Sequence, residues 1–165
     1  MAVDIETIPL TGRLVLRRFQ PGDETPFKEL NEEWISRDFV LEPGDHEVLD
    51  DPRGKILAKG GEICIAELDG EVVGCCALVP INPSEFELAK MTVSEIARGH
   101  GIGRKLLHFA VELARALHAR RLYLESNKRA ASAVHLYEEL GFRHKPANDH
   151  ASKYARANVV MEMIL

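Results

Sequence analysis

Residues 98–107, RGHGIGRKLL, place three glycines directly before a run that turns helical. Ile102, Leu106, Phe109, Leu113 and Leu117 recur near helical spacing, which predicts an amphipathic helix from the glycines to about Ala119. The start of that helix carries Arg98, Arg104 and Lys105. A helix N-terminus already has about half a positive charge from its aligned peptide dipoles, so acidic side chains belong there and basic ones weaken it. The mismatch points to an anion that the chain itself does not supply.

Elements on either side give the setting. FELAKMTV (86–93) precedes the glycines as a strand, set off by the Asn82-Pro83-Ser84 turn, and RLYLES (121–126) follows the helix as another. Strand, glycine loop, helix and strand make a crossover between parallel strands, right-handed by the general rule. Upstream, ICIAEL and EVVGCCALV flank Asp69-Gly70, a dipeptide suited to a tight hairpin turn. RLVLRRF (13–19) reads as a first strand, and Thr25-Pro26 as the start of a helix that puts Phe27, Leu30 and Trp34 on one face. Asp51-Pro52 repeats that signal for a short helix ending near Lys59. Downstream, AASAVHLYEEL forms a helix closed by Gly141, and FRHK and NVVMEMIL end the chain as strands. This is an α/β (α+β) domain with a mixed sheet.

With 165 residues, 45% of them hydrophobic, the chain suits one domain over 1–165, its core running from about residue 13. The net charge of −5 argues against nucleic acid as a partner, which needs a basic face, and makes a small anion the better match for a local basic cluster. MAVDIETIPL has no secretory pattern and VVGCCALVPI is short and broken by Gly74 and Pro80, so a soluble cytoplasmic protein with no membrane partner is expected. Cys64, Cys75 and Cys76 lie in apolar runs without metal spacing and read as reduced, buried thiols. His100, His135, His144 and His150 show no ligand spacing, so no metal is expected. A homodimer stays open.

Two familiar phosphate loops fail here. A P-loop needs GxxxxGK[ST], but Arg104 follows Gly103. A dinucleotide loop needs GxGxxG, and its third position is Leu106 counted from Gly101 or Arg104 counted from Gly99. Glu125, about twenty residues on, imitates a ribose-binding acid, yet the hairpin before the loop speaks against that fold.

R98-G-H-G-I-G103, after the strand ending MTV, resembles the [RQ]-x-x-G-x-[GA] motif of the GCN5-related N-acetyltransferase (GNAT) superfamily. The order of elements from Arg13 to Leu165 and the Y-E-E-L-G-F run at 137–142 extend the resemblance. It implies a mostly antiparallel sheet with the parallel unit at the cofactor site, and acetyl-CoA as co-substrate. The glycines let backbone N–H groups press against a pyrophosphate, with attraction from the helix dipole. Arg98, Gly99, His100, Gly101, Ile102, Gly103, Arg104 and Lys105 would then hold the anion. The resemblance also places the main chain of Met91, Thr92 and Val93 against the pantetheine, whose amides pair with a strand edge as a peptide would.

The same resemblance points to Glu87, six residues before Val93, as general base, with Glu85 and Glu125 in reserve. It points to Tyr137, four residues before Gly141, as the acid that protonates the departing thiolate. Where many members carry asparagine, position 130 is alanine, and Asn127 is the candidate to take over its cofactor contact. The acceptor, a small-molecule amine or an amine of a peptide or protein, would lie against ISRDFVLEPGDHE (35–47) and NDHASKYARAN (148–158). Arg37 and Arg156 suit an acceptor carboxylate, whereas Glu42, Asp45, Glu47, Asp50 and Asp51 suit a polyamine or a lysine-rich peptide. The expected activity is N-acetylation by direct attack in a ternary complex. A non-catalytic acyl-CoA-binding or regulatory module of the same fold is the alternative.

Overall fold

The computed structural model of the chain describes residues 12–146, 152 and 154–165. His150, and most of the acceptor-side loop around it, lies outside these. The strands are β1 (Leu14–Arg18), β2 (Glu62–Leu68), β3 (Glu71–Asn82), β4 (Glu85–Val93), β5 (Arg121–Ser126), β6 (Arg143–Lys145) and β7 (Val159–Ile164). They form one seven-stranded sheet in the order β1-β2-β3-β4-β5-β7-β6. Every neighbouring pair is antiparallel except β4 and β5, which are parallel.

Helices cover both faces. On one side lie α1 (Glu24–Asp38), α2 (Pro43–Asp50) and the single turn α3 (Pro52–Lys55); Phe27, Leu49 and, just past α3, Ile56 pack on Ile63, Ile65, Cys75 and Ala77. On the other lie α4 (Ile102–Ala116) and α5 (Ala131–Glu139). There Leu106, Leu107 and Ala110 are fully buried against Cys64, Cys76, Leu78, Phe86 and Leu88. Each such leucine contributes about 1.5–3 kcal/mol by leaving water. Alternation along β4 therefore sends Phe86 and Leu88 to the α4 side and Glu87 to the α1–α2 side.

Three local expectations shift. The first helix begins at Glu24, not after Thr25, and the carboxylate of its N-cap Asp23 is taken by Arg17 (2.7 and 3.1 Å) and by the Gln20 N–H (2.7 Å). The α4 helix stops at Ala116, because His118 turns left-handed (φ +62°) and lets the Ala119 N–H bond back to Ala114 O at 3.0 Å. The α2 helix had no counterpart in the sequence pattern. It is started by Pro43 and by a reciprocal pair in which Glu42 and Asp45 each accept the other's backbone N–H.

All three cysteines are free and buried. Burial pushes the Cys75 thiol up to about 12, which leaves it inert as a nucleophile. Among the described residues no helix is long and apolar enough to cross a membrane, and no cluster of metal-ligating side chains is present.

Candidate active site

The parallel pairing of β4 with β5 is brief. It joins Glu85 to Arg121, Phe86 to Leu122 and Glu87 to Tyr123, and then stops. Both strands run on, β4 to Val93 and β5 to Ser126, so they splay and leave the β4 edge open toward β5. A cleft of about 440 Å³ fills the wedge. Its walls are residues 87–93 of β4, Glu125 to Asn127 at the end of β5, the first half of α5 with Leu136 and Tyr137, and the C-terminal end of α1 with Trp34, Arg37 and Phe39.

At the wide end of the wedge lies the glycine loop. Gly99 (φ +83°) and Gly101 (φ +74°) adopt backbone that L side chains rarely enter, and Gly101 is the N-cap of α4. No side chain caps that helix and no acidic residue stands in its first turn, and Lys105 is the first to bond back into it, to Gly101 O at 3.1 Å. Its leading N–H groups therefore lack a side-chain acceptor. Gly103 differs from the other two: a Cβ there would meet Val93, Leu136 and Met91 at an ordinary 3.6–3.7 Å, so alanine would fit. Arg98 lines the cleft and donates from Nε to Val93 O at 3.1 Å. Arg104 is engaged elsewhere, with Glu139 of α5 at 2.6 Å, and so ties together the two helices beside the wedge. Lys105 has no ion pair among the described residues.

Glu87 and Tyr137 enter the cleft from opposite walls, one on β4 and one on α5. The Tyr137 ring is 7% exposed and meets Phe142 edge-on at 5.8 Å. Its hydroxyl makes no hydrogen bond among the described residues. Burial, helped by the nearby Cys76, pushes the phenol above its ordinary acidity range, so it stays protonated. Glu87 faces Tyr123 across the parallel pair, with Glu125 two residues further along β5 on the same face. Glu125 accepts from Tyr123 Oη at 2.8 Å and from Ser152 Oγ at 2.5 Å. Glu85 lies outside the cleft, bonded to Arg121 and Asn82.

The wall toward α2 holds a buried charge cluster. Asp45, fully buried, accepts two hydrogen bonds from Arg156 (2.8 and 2.6 Å) and one from Lys90 Nζ (3.0 Å). Burial alone would raise its pKa, but the Arg156 hydrogen bonds, the Glu42 N–H and the Lys90 charge outweigh that and hold it at about 2. Lys90 also lies over the Tyr154 ring (4.7 Å) and donates to its hydroxyl at 3.3 Å. Lys90 sits in a β-bulge: Ala77 faces Ala89 and Cys75 faces Thr92, so Lys90 and Met91 together oppose Cys76 alone. Its φ of +56° costs on the order of 1–3 kcal/mol in a residue other than glycine.

With this geometry in view, the sequence profile of the acetyltransferase (GNAT) family matches residues 27–142. The chain belongs to the GNAT family. It is 41% identical over 83 residues to YjgM, an uncharacterized N-acetyltransferase of Escherichia coli (strain K12), over 48% of this chain and 50% of that one. The chain spans about half the length, or less, of the curated relatives it matches. Its fold is similar to that of a GNAT-family acetyltransferase from Staphylococcus aureus Mu50, with a TM-score of 0.84 at 20% identity over 92% of this chain and 99% of that one. It is similar also to N-acetylglutamate synthase from Neisseria gonorrhoeae, whose structure contains coenzyme A and N-acetyl-glutamate (TM-score 0.72, 21% identity, 94% and 36% coverage).

In this GNAT domain most residues singled out from the sequence meet at the wedge, but several have other partners. Asn127 lines the cleft while its side chain bonds Arg156 O (2.5 Å) and the Arg129 N–H (2.8 Å). Arg156 is committed to Asp45 and Arg37 is 3.8 Å from Glu95. The acids proposed for a polyamine are dispersed: Glu47 pairs with Lys55, Asp50 with Lys28, and Asp51 caps α3 at the Gly54 N–H. Lys90 and Tyr154 were missed as site residues. The signal for Lys90 was in plain view, a single lysine inside the apolar strand FELAKMTV.

Proposed function

We propose that this domain transfers the acetyl group of acetyl-CoA to a primary amine by direct attack in a ternary complex. The observation that carries this reading is the splayed β4–β5 wedge, with an uncapped helix N-terminus at its wide end and Glu87 and Tyr137 on opposite walls. The N–H groups of the Gly99–Gly103 loop bind the pyrophosphate, with Arg98 and Lys105 adding positive charge. Pantetheine lies along the open edge of β4, pairing with the main chain of residues 91–93. The thioester carbonyl rests against the bulged backbone at Met91, past the last pairing of β4 with β5 at Glu87.

The amine nitrogen attacks the carbonyl carbon, a C–N bond forms, and the C–S bond breaks. Glu87 receives the proton the amine loses, directly or through water, and Tyr137 gives its proton to the departing sulfur. Glu125, held by Tyr123 and Ser152, is the second carboxylate on the acceptor side.

A screen of amine acceptors with thiol release as readout tests the reading. Acceptor-dependent release of coenzyme A at a rate well above solvent hydrolysis is expected. Tight coenzyme binding with no turnover on any amine class would instead make the protein a non-catalytic acyl-CoA-binding module.

A further inference from the structure

The bulge in β4 is built around a residue that resists its shape. Bulges of this kind usually put glycine in the left-handed position, because any side chain there is strained. Here the position holds Lys90, at φ +56°. Its ammonium reaches the fully buried Asp45, which Arg156 clamps from the other side, and its carbonyl accepts a hydrogen bond from Cys75 Sγ at 3.6 Å. Cys75 is held in turn by Asn31 Nδ2 at 3.5 Å. Both ends of the residue are therefore tied to the α1–α2 side of the sheet.

This fixes one peptide plane. In a trans peptide the carbonyl of residue 90 and the N–H of residue 91 point in opposite directions. With Lys90 O turned to Cys75 Sγ on the α1–α2 face, the Met91 N–H turns away from that face, on a stretch of β4 that β5 has left unpaired.

We propose that the Asp45–Lys90 pair, braced by Arg156 and Tyr154, is a positioning device that holds the bulge so that the Met91 N–H meets the thioester carbonyl. Lys90 is a positioning residue and touches neither substrate. The proposal rests on the reading above that the carbonyl lies at the bulge. It explains why a lysine occupies a glycine-like position, since glycine would adopt the conformation without strain but would supply no anchor to α2.

The test compares Lys90→Ala, Lys90→Met and Lys90→Gly by calorimetric titration with acetyl-CoA and with coenzyme A, after thermal melts show that each variant folds. Only acetyl-CoA has the carbonyl, so the ratio of the two affinities reads the Met91 contact and needs no acceptor. The wild type is expected to favour acetyl-CoA by about fivefold, the worth of one hydrogen bond. Lys90→Ala and Lys90→Met, which keep the strain and lose the anchor, should bring the ratio near one. Lys90→Gly, for which the left-handed bulge is unstrained, should retain most of it. Equal loss in all three variants would mean that the lysine itself touches the ligand, and an unchanged ratio in all three would mean that the anchor does not set the bulge. Either result overturns the proposal. A wild type that binds both ligands equally would remove the carbonyl from the bulge and the proposal with it, whereas a wild type that binds neither would remove the coenzyme site altogether.

Discussion

Replacing Tyr137 with phenylalanine deletes one oxygen from the wall of the cleft and leaves the rest of the side chain in place. The ring is 7% exposed and packed edge-on against Phe142, contacts that phenylalanine keeps. The hydroxyl has no hydrogen bond to lose among the described residues, so folding stability should change by no more than about 0.5 kcal/mol. For a domain of this size that is about 1–2 °C in Tm. Catalysis should respond differently. A hydrogen bond to a charged group is worth about 1.5–3 kcal/mol, and a thiolate forms only as the C–S bond breaks, so kcat and kcat/KM should fall together by roughly 10- to 150-fold. Coenzyme affinity should stay within twofold, since the contact is absent in the ground state.

Thiol-release kinetics and a thermal melt on this one variant are sufficient. Because burial keeps the phenol protonated, the wild-type rate should also show no loss from Tyr137 ionising as pH rises through 9. Full activity together with a melting temperature lowered by more than about 4 °C would make Tyr137 a packing residue and refute its role as the acid.

Three further outcomes are expected. Glu87→Gln should lower turnover by roughly 10²–10⁴-fold and abolish the acid limb of the pH–rate profile, with coenzyme affinity nearly unchanged; a retained acid limb would shift the base to Glu125 or water. Gly101→Glu adds a side chain at φ +74° and a like charge at the anion site, and should abolish coenzyme binding in calorimetry while the far-ultraviolet circular dichroism spectrum stays that of the wild type. Asp45, held at about 2 against an ordinary 3.8, stabilises the fold above pH 4 and loses that contribution as pH falls from about 4 toward 2. Acid unfolding should be steep in that window for the wild type and flatter for Asp45→Asn, and parallel curves would rule out the Asp45 cluster as its source.

What the sequence revealed and what it hid follow a physical division. Gly99, Gly101 and Gly141 could be located because each takes a positive φ that glycine alone adopts without strain. The parallel β4–β5 pair followed from a helical run between two strands, since such strands need a crossover. The end of α4 was hidden because a histidine, not a glycine, makes its left-handed exit. The start of α2 was hidden because glutamate stands at the N-cap and aspartate three residues on, a reversal of the usual cap chemistry. For the site, side chains that act at a motif were legible, and those that act through long-range pairs were not. Asp45, Lys90 and Arg156 are 45 and 66 residues apart along the chain and meet only after the sheet has formed.

The wedge and the uncapped helix N-terminus have one structural origin. A parallel pair cannot be closed by a hairpin, so α4 must leave from the end of β4, and its uncapped N-terminus stands where β4 and β5 diverge. The bulge at Lys90 and Met91 lies on β4 past its last pairing with β5 at Glu87, so the bulged backbone borders the opening. Beyond Glu87, β5 no longer pairs with that edge. Glu87, the last β4 residue to pair with β5, stands beside this opening on the α1–α2 face. On the proposed reading, a ligand that is anionic at one end and amide-rich along its length would meet matching groups in that order, from the helix N-terminus to the strand edge to the carboxylates. The charge balance of the cleft agrees: Arg37, Lys90, Arg98, Arg129 and Arg156 line it against Asp38, Glu87 and Glu125, a positive excess in a chain of net charge −5.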